Sequence, residues 1–143
     1  MPQINGVTDP ILVVGTRDGT SATKVQQLNR VTEILTVQDT DARHLTLTAE
    51  NIKGGINVHT SVTGGGTVTA DTAANIIAKV PLTEDGQCIV SYYVNDGDQT
   101  ATFAVASGTT ITNVANTVAT NEAATLIWRR TSATAVVLTI VSS

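Results

Sequence analysis

The sequence of 143 residues contains a single cysteine, few aromatic residues (3%) and few charged ones (14%). One cysteine cannot form an internal disulfide, and it excludes a zinc site built from several cysteines. Eight lysines and arginines stand against twelve acidic residues, for a net charge of -4. Because phosphate binding needs concentrated positive charge, we expect no nucleic acid partner. No apolar run reaches the length of a membrane span, and no signal peptide is evident, so we expect no membrane partner either.

The sequence is rich in β-branched residues. Threonine occurs 26 times, valine 18 times and isoleucine 11 times. These side chains lose rotamer freedom in a helix and pack well on a pleated sheet. Segments of this composition alternate with turn residues at short intervals. We therefore predict an all-β fold, an antiparallel β-sandwich or jelly roll with an extended N-terminal arm.

The chain divides by composition into three parts. Residues 1–10, with two prolines and a glycine, predict the extended arm. Residues 11–66 predict a β-rich region for assembly or attachment, which ends in a triplet of glycines. Within it, residues 24–31 fit either a short helix or an irregular strand. Residues 67–143 predict the β-sandwich domain.

The C-terminal part carries the clearest strand pattern. The segment 87–94 predicts a strand with Cys88, Val90, Tyr92 and Val94 on its apolar face. The turn residues 95–98 that follow predict a hairpin, because Asn, Asp and Gly tolerate the backbone of tight turns. For residues 75–80 two interpretations compete, a capped helix and a strand. We favour the strand, because the proline that follows disfavours helical geometry in the residue before it.

The last two strands are expected to form a hairpin, in which Leu126 and Trp128 meet apolar residues of the final strand. We assign one set of side chains to the packing of the core or of a trimer. These residues are Val90, Tyr92, Phe103, Leu126, Trp128, Val136, Leu138 and Ile140.

Candidate catalytic and metal-binding groups are few. On the apolar face of its strand, Cys88 is expected to be a buried small hydrophobe and not a nucleophile. His44 and His59, with Asp39 and Asp41, offer ligand types for a metal, but their spacing matches no known ligand pattern. We therefore predict no enzymatic activity, no catalytic residues, no cofactor and no metal.

Three further motifs could indicate binding, but each also has a purely structural interpretation. Asp96-Gly97-Asp98 resembles a fragment of a calcium loop, but the rest of the ligand series is missing, so a turn is expected. The glycines at 64–66 lack the lysine of a phosphate-binding loop. The run Trp128-Arg129-Arg130 suits the centre of an interface; the alternative, which we favour, places the tryptophan in the core and leaves one arginine for a partner.

A resemblance to a known group rests on the start of the C-terminal part. Its Thr-rich lead-in, a strand ending in a proline, a turn and a further strand are similar to the opening of trimeric jelly-roll domains in bacteriophage virion proteins. The matching residues are Thr67-Val68-Thr69-Ala70-Asp71-Thr72, Ile76-Ile77-Ala78-Lys79-Val80-Pro81-Leu82, Asp85-Gly86 and Val90-Ser91-Tyr92-Tyr93-Val94. The rhythm of residues 101–106 and 108–112 and of the last hairpin resembles head decoration proteins and tail-fibre tips.

The resemblance implies a structural virion protein. We expect a homotrimeric capsid decoration (cement) protein, assembled in the bacterial cytoplasm, that binds the major capsid protein on the outside of the head and stabilises it. The expected capsid contacts of the arm are Pro2, Gln3, Ile4 and Val7. The alternative is a head-fibre or tail-fibre protein that binds a receptor or glycan on the host surface.

Overall fold

The computed structural model describes residues 35–60, 62, 64–112 and 116–143. They belong to one compact unit, residues 35–143. The expected arm and the ambiguous segment 24–31 lie outside the described residues. The elements, in chain order, are β1 (Thr36–Thr40), β2 (Leu45–Leu47), α1 (Ala49–Gly54), β3 (Gly55–His59), β4 (Thr67–Ala70), α2 (Ala73–Lys79), β5 (Cys88–Asn95), β6 (Ala101–Ala104), β7 (Thr109–Ile111), β8 (Thr117–Val118), β9 (Glu122–Ser132) and β10 (Ala135–Ser142).

The strands form two mixed sheets. The six-stranded sheet has the order β1-β3-β5-β9-β10-β7, and the four-stranded sheet has the order β2-β4-β6-β8. From β1 to β6 the chain alternates between the two sheets. Each of the strands β3, β4, β5 and β6 therefore pairs in parallel with the strand two places before it in sequence. The pairs β5–β9, β9–β10 and β6–β8 are antiparallel, whereas β7 joins β10 in parallel. The chain thus coils through both sheets before it closes with a hairpin.

The predicted predominance of strands is confirmed, but the prediction of antiparallel pairing throughout is wrong. Residues 95–98 show why. They connect β5 in one sheet to β6 in the other, so this turn is a crossing and not a hairpin. A local turn signal indicates that the chain changes direction, but which sheet receives the next strand depends on distant packing. The final hairpin is observed as predicted, with Trp128 opposite Leu138 and Leu126 opposite Ile140.

Residues 75–79 are helical and Val80 is the C-cap, so the strand predicted for residues 75–80 is wrong. Helix α2 begins after Thr72, whose side chain accepts a hydrogen bond from the backbone N–H of Asn75 at 3.3 Å. Such a cap satisfies an N–H that the first helical turn leaves unpaired. The proline at position 81 acts only after Val80, the residue that ends the helix. Its effect on the preceding residue is therefore compatible with a helix of seven residues.

Asp71 joins the starts of both helices. Its carboxylate accepts hydrogen bonds from the backbone N–H of Ala49 in α1 (3.0 Å), from the N–H of Thr72 (2.8 Å) and from the side chain of Asn75 (2.8 Å). Partial burial raises the pKa of Asp71, but these bonds and the charge of Lys79 outweigh it and lower the pKa below the usual value. The ionised carboxylate therefore fixes the two short helices against each other.

One hydrophobic core contains buried residues from both sheets and both helices. Tyr93 of the six-stranded sheet and Phe103 of the four-stranded sheet meet edge to face, with ring centroids 5.1 Å apart. The domain boundary predicted at residue 66 falls inside this unit, because strands on either side of it pair in both sheets. In the described part of the chain, no helix is long and apolar enough to cross a membrane.

Candidate functional site: the outer face of the six-stranded sheet

The six-stranded sheet exposes an apolar surface on the side opposite the core. Successive side chains of a strand point to opposite sides of its sheet. The residues that alternate with the buried ones on β1, β3, β5, β9 and β10 therefore share one side, here called the outer face. They are Val37, Asp39, Ile56, Val58, Cys88, Val90, Tyr92, Val94, Ala123, Thr125, Ile127, Arg129, Thr131, Val137, Thr139 and Val141.

One row of the outer face crosses five strands without interruption. Val37 is in register with Ile56, Ile56 with Tyr92, Tyr92 with Thr125, and Thr125 with Val141. The side chains of Val37, Tyr92 and Val141 are 60%, 40% and 53% exposed. Cross-strand neighbours of this kind lie in contact. Four of the five residues in the row are apolar, and Thr125 lies between Tyr92 and Val141. The row is therefore a largely apolar band and not a set of scattered hydrophobic residues.

A shallow hollow of about 300 Å³ interrupts the outer face near the end of β10. It lies beside the aromatic ring of Tyr92 and the methyl groups of Ala123 and Val141, and the last residues, Ser142 and Ser143, form its rim. The alanine at position 123 contributes only a small side chain to the lining of the hollow. The hollow can accept one side chain or ring from a partner.

The outer side of the four-stranded sheet differs in chemistry. Its exposed or half-buried strand positions carry hydroxyl groups almost throughout. These residues are Thr46, Thr67, Thr69, Thr102, Ala104 and Thr117. Threonine is the ordinary choice for a solvated strand face, since it combines high β propensity with a polar group. The same chain places valine, isoleucine and tyrosine on the outer face instead, which is a costly exposure unless something covers it.

Two ionisable side chains with opposite charges lie far apart on the outer face, at positions here called the acidic and the basic corner. Asp39 (acidic corner) lies on the edge strand β1, and Arg129 (basic corner) lies on β9, the fourth of the six strands, toward the opposite end of the strands. Neither has an ion pair or hydrogen bond with another described residue. The next residue, Arg130, behaves differently: it pairs with Asp85 at 2.9 Å and donates to the carbonyl of Leu82 at 2.8 Å. Of the two arginines, Arg129 is therefore the one free for a partner.

The four residues predicted to share one side of β5 do so, and that side is turned away from the core. Val90 and Tyr92 are exposed on the outer face, and the side of the strand that faces the core carries Ile89, Ser91 and Tyr93. Both sides of this strand are apolar, so alternation did not distinguish them. The core selected the side with Tyr93, because its ring packs on Phe103 of the other sheet.

Cys88 is exposed, which contradicts its predicted burial. It begins β5 on the outer side, and its sulfur contacts the carbonyl of Gly86 at 3.5 Å. The other residues that we assigned to core or trimer packing lie in the core. These are Phe103, Leu126, Trp128, Val136, Leu138 and Ile140. The arm residues Pro2, Gln3, Ile4 and Val7 lie outside the described residues.

The two histidines do not converge. His59 is buried: its Nε2 donates to the carbonyl of Ala42 at 2.5 Å, so its Nδ1 accepts from the Tyr93 hydroxyl at 2.8 Å. Burial lowers the pKa of His59, the Ala42 carbonyl opposes this, and His44 adds to the lowering. His44 instead accepts the backbone N–H of Thr67. Among the described residues, no three His, Cys, Asp or Glu side chains group as a metal site requires.

The glycines singled out in the sequence serve close packing. A Cβ on Gly97 would come within 2.6 Å of the backbone nitrogen of Val62, so only glycine fits the 96–98 turn without a shift. At Gly66 the carbonyl of Arg43 would lie 2.3 Å from such a Cβ. These are structural roles, and they give neither motif a ligand.

The outer face was not predicted as a site, although the sequence contains a signal for it. Strands β5 and β10 carry apolar residues on both sides, as in CIVSYYVN and AVVLTIVS. In a strand with one solvent-exposed side, apolar and polar residues alternate, whereas near-continuous apolar runs are typical of strands covered on both sides.

Comparison of the chain with protein-family models, with curated proteins and with solved structures finds no match.

Proposed function

We propose that this chain is a structural, non-enzymatic bacteriophage virion protein: a homotrimeric capsid decoration protein with a two-sheet β-sandwich core. The observation that carries the proposal is the outer face, which combines a largely apolar band across five strands with two separate charges of opposite sign, Asp39 and Arg129. A surface of this kind fits a protein that works by associating with other proteins. The resemblance of residues 67–143 to phage virion domains supplies the biological setting.

The proposed role follows from multivalent binding. On a capsid, a homotrimer that sits where capsomers meet contacts several coat subunits at once. When three weak contacts are linked, the second and third form at high effective concentration, so the total affinity exceeds that of one contact by orders of magnitude. We assign the coat contacts to the arm, with Ile4 and Val7 as its apolar anchors.

The first test is the native mass of the purified protein. A trimer gives about 44 kDa, three times the chain mass of 14.8 kDa. Trimer should then co-sediment with capsids stripped of decoration protein and raise the temperature at which they lose DNA. A double variant, Ile4→Asp with Val7→Asp, is expected to stay trimeric and lose capsid binding. A stable monomer, or a trimer with no affinity for capsids, would contradict the proposal.

One observation favours the alternative, a fibre protein that binds a host-surface glycan. Sugar rings stack on exposed aromatic side chains, and Tyr92 is 40% exposed beside the hollow. Binding to host cells, measured with labelled protein, separates the two functions. An adhesin should bind cells and lose most of that binding in Tyr92→Ala, while Val37→Ala at the far end of the row should not. A decoration protein binds capsids and not cells.

A further inference from the structure

We infer that the outer face is the contact between copies of this chain, and that the Asp39 corner of one copy meets the Arg129 corner of the next. This inference rests on the proposed function, because it identifies the surface through which the proposed oligomer forms. The arm, in contrast, is assigned to the coat. The two surfaces are separate in sequence, so each can be tested without the other.

The charges of the outer face identify its partner. A complementary surface must be apolar, must carry an acidic group opposite Arg129 and must carry a basic group opposite Asp39. A second copy of the same face meets all three conditions. A polyanion would be attracted by Arg129 and repelled by Asp39, and the net charge of -4 adds to that repulsion.

The distance between the corners rules out an ion pair within one copy. Asp39 is in register with Val58, Val58 with Val94, and Val94 with Ala123. The corners are thus three strand spacings apart across the sheet, about 14 Å, and six residues apart along β9, about 20 Å. A separation of about 25 Å exceeds the reach of the two side chains. Their charges are therefore available to a neighbouring copy.

Symmetry turns the two corners into a repeating contact. A rotation axis that runs across the line joining Asp39 and Arg129 brings the acidic corner of one copy to the basic corner of the next. A ring of three copies forms one such pair at each of its three contacts. A symmetric pair of copies forms two pairs at a single contact. Both arrangements bury the row that contains Tyr92.

The size of the face makes the association sensitive to one charge. Five strands and about six residues of length give roughly 20 by 20 Å, or about 400 Å² of flat area for each copy. This is about half the area that one partner contributes to a standard interface, so the contact is expected to be modest in affinity. A reversed charge at each contact should then change the oligomer population measurably.

The test is a charge exchange followed by sedimentation velocity over a range of protein concentrations. Asp39→Arg and Arg129→Asp should each weaken association at least tenfold, because like charges then meet at every contact. The double variant restores opposite charges and should recover association to within about threefold. The matched control is Asp98→Arg, an exposed charge in the 96–98 turn, which should leave association unchanged. Circular dichroism spectra check that each variant is folded.

Two results would overturn the inference: wild-type protein that remains monomeric at 100 μM, or single variants that weaken association with no recovery in the double variant. An equimolar mixture of the two single variants tests the proposed contact separately from the proposed trimer. In a pair of copies every contact can join unlike variants, so association recovers fully. In a ring of three at least one contact joins like variants, so recovery is partial. Full recovery supports the contact and contradicts the trimer, and failure of capsid binding alone leaves the contact intact.

Discussion

Removing the hydroxyl of Ser91 is expected to destabilise the core of the six-stranded sheet. The indole Nε1–H of Trp128 donates to the Ser91 Oγ at 2.9 Å, and both side chains are fully buried. Ser91→Ala leaves this N–H with no acceptor, and an unsatisfied buried donor costs about 1–3 kcal/mol. We expect a loss of about 2 kcal/mol in the free energy of unfolding, or about thirtyfold in the unfolding equilibrium constant.

Urea unfolding followed by far-UV circular dichroism measures this loss without relying on the single tryptophan. All variants are compared at one protein concentration, since association shifts apparent stability. With Trp128→Phe as background the donor is gone, so Ser91→Ala should cost less than about 0.5 kcal/mol. Ser107→Ala, at an exposed serine, is the matched control. An equal cost of Ser91→Ala in both backgrounds would refute the assignment of the loss to the hydrogen bond.

Three further changes test other features of the fold. Because burial lowers the pKa of His59, the unfolded chain binds the proton more tightly, so stability should fall as the pH drops below about 6.5; His59→Gln should flatten this slope, whereas His44→Gln should retain it. Asp71→Asn should lower the free energy of unfolding by roughly 1–2 kcal/mol at pH 7. Its pKa is lowered, so the carboxylate's contribution is present above pH 4 and disappears in acid, and wild type and variant should converge there in a urea titration. Gly97→Ala should cost about 1–3 kcal/mol, because the added methyl collides with Val62; a change below 0.5 kcal/mol in the same assay would contradict that packing.

The helices and the final hairpin show what local sequence can predict. The final hairpin could be predicted from apolar residues at every second position of two adjacent segments. This worked because β9 and β10, which are consecutive in sequence, pair with each other. Helix α2 was missed because two local rules competed at its ends, the cap at Thr72 and the proline at position 81. The cap determined the start, and the proline was compatible with the end.

The candidate site could be predicted only in part. One of the two arginines at positions 129 and 130 was expected to contact a partner, and the structure distinguishes them, because Arg130 is held by Asp85 and Leu82. Val90 and Tyr92 were assigned to the packing of the core or of a trimer, and the structure excludes the core, because both are exposed on the outer face. The row that joins Val37 to Val141 spans residues more than one hundred positions apart, so only strand register brings it together.

The sequence by itself determined that the chain is built of strands, because β-branched residues restrict side-chain and backbone freedom wherever they occur. It also determined where the chain turns. Only the tertiary structure decided which strands pair, since parallel neighbours are separated by a strand in the other sheet and no local pattern records that crossing. The same holds for the outer face: when both sides of a strand are apolar, the side that faces the core is selected by the best packing against distant residues. The other side is left exposed.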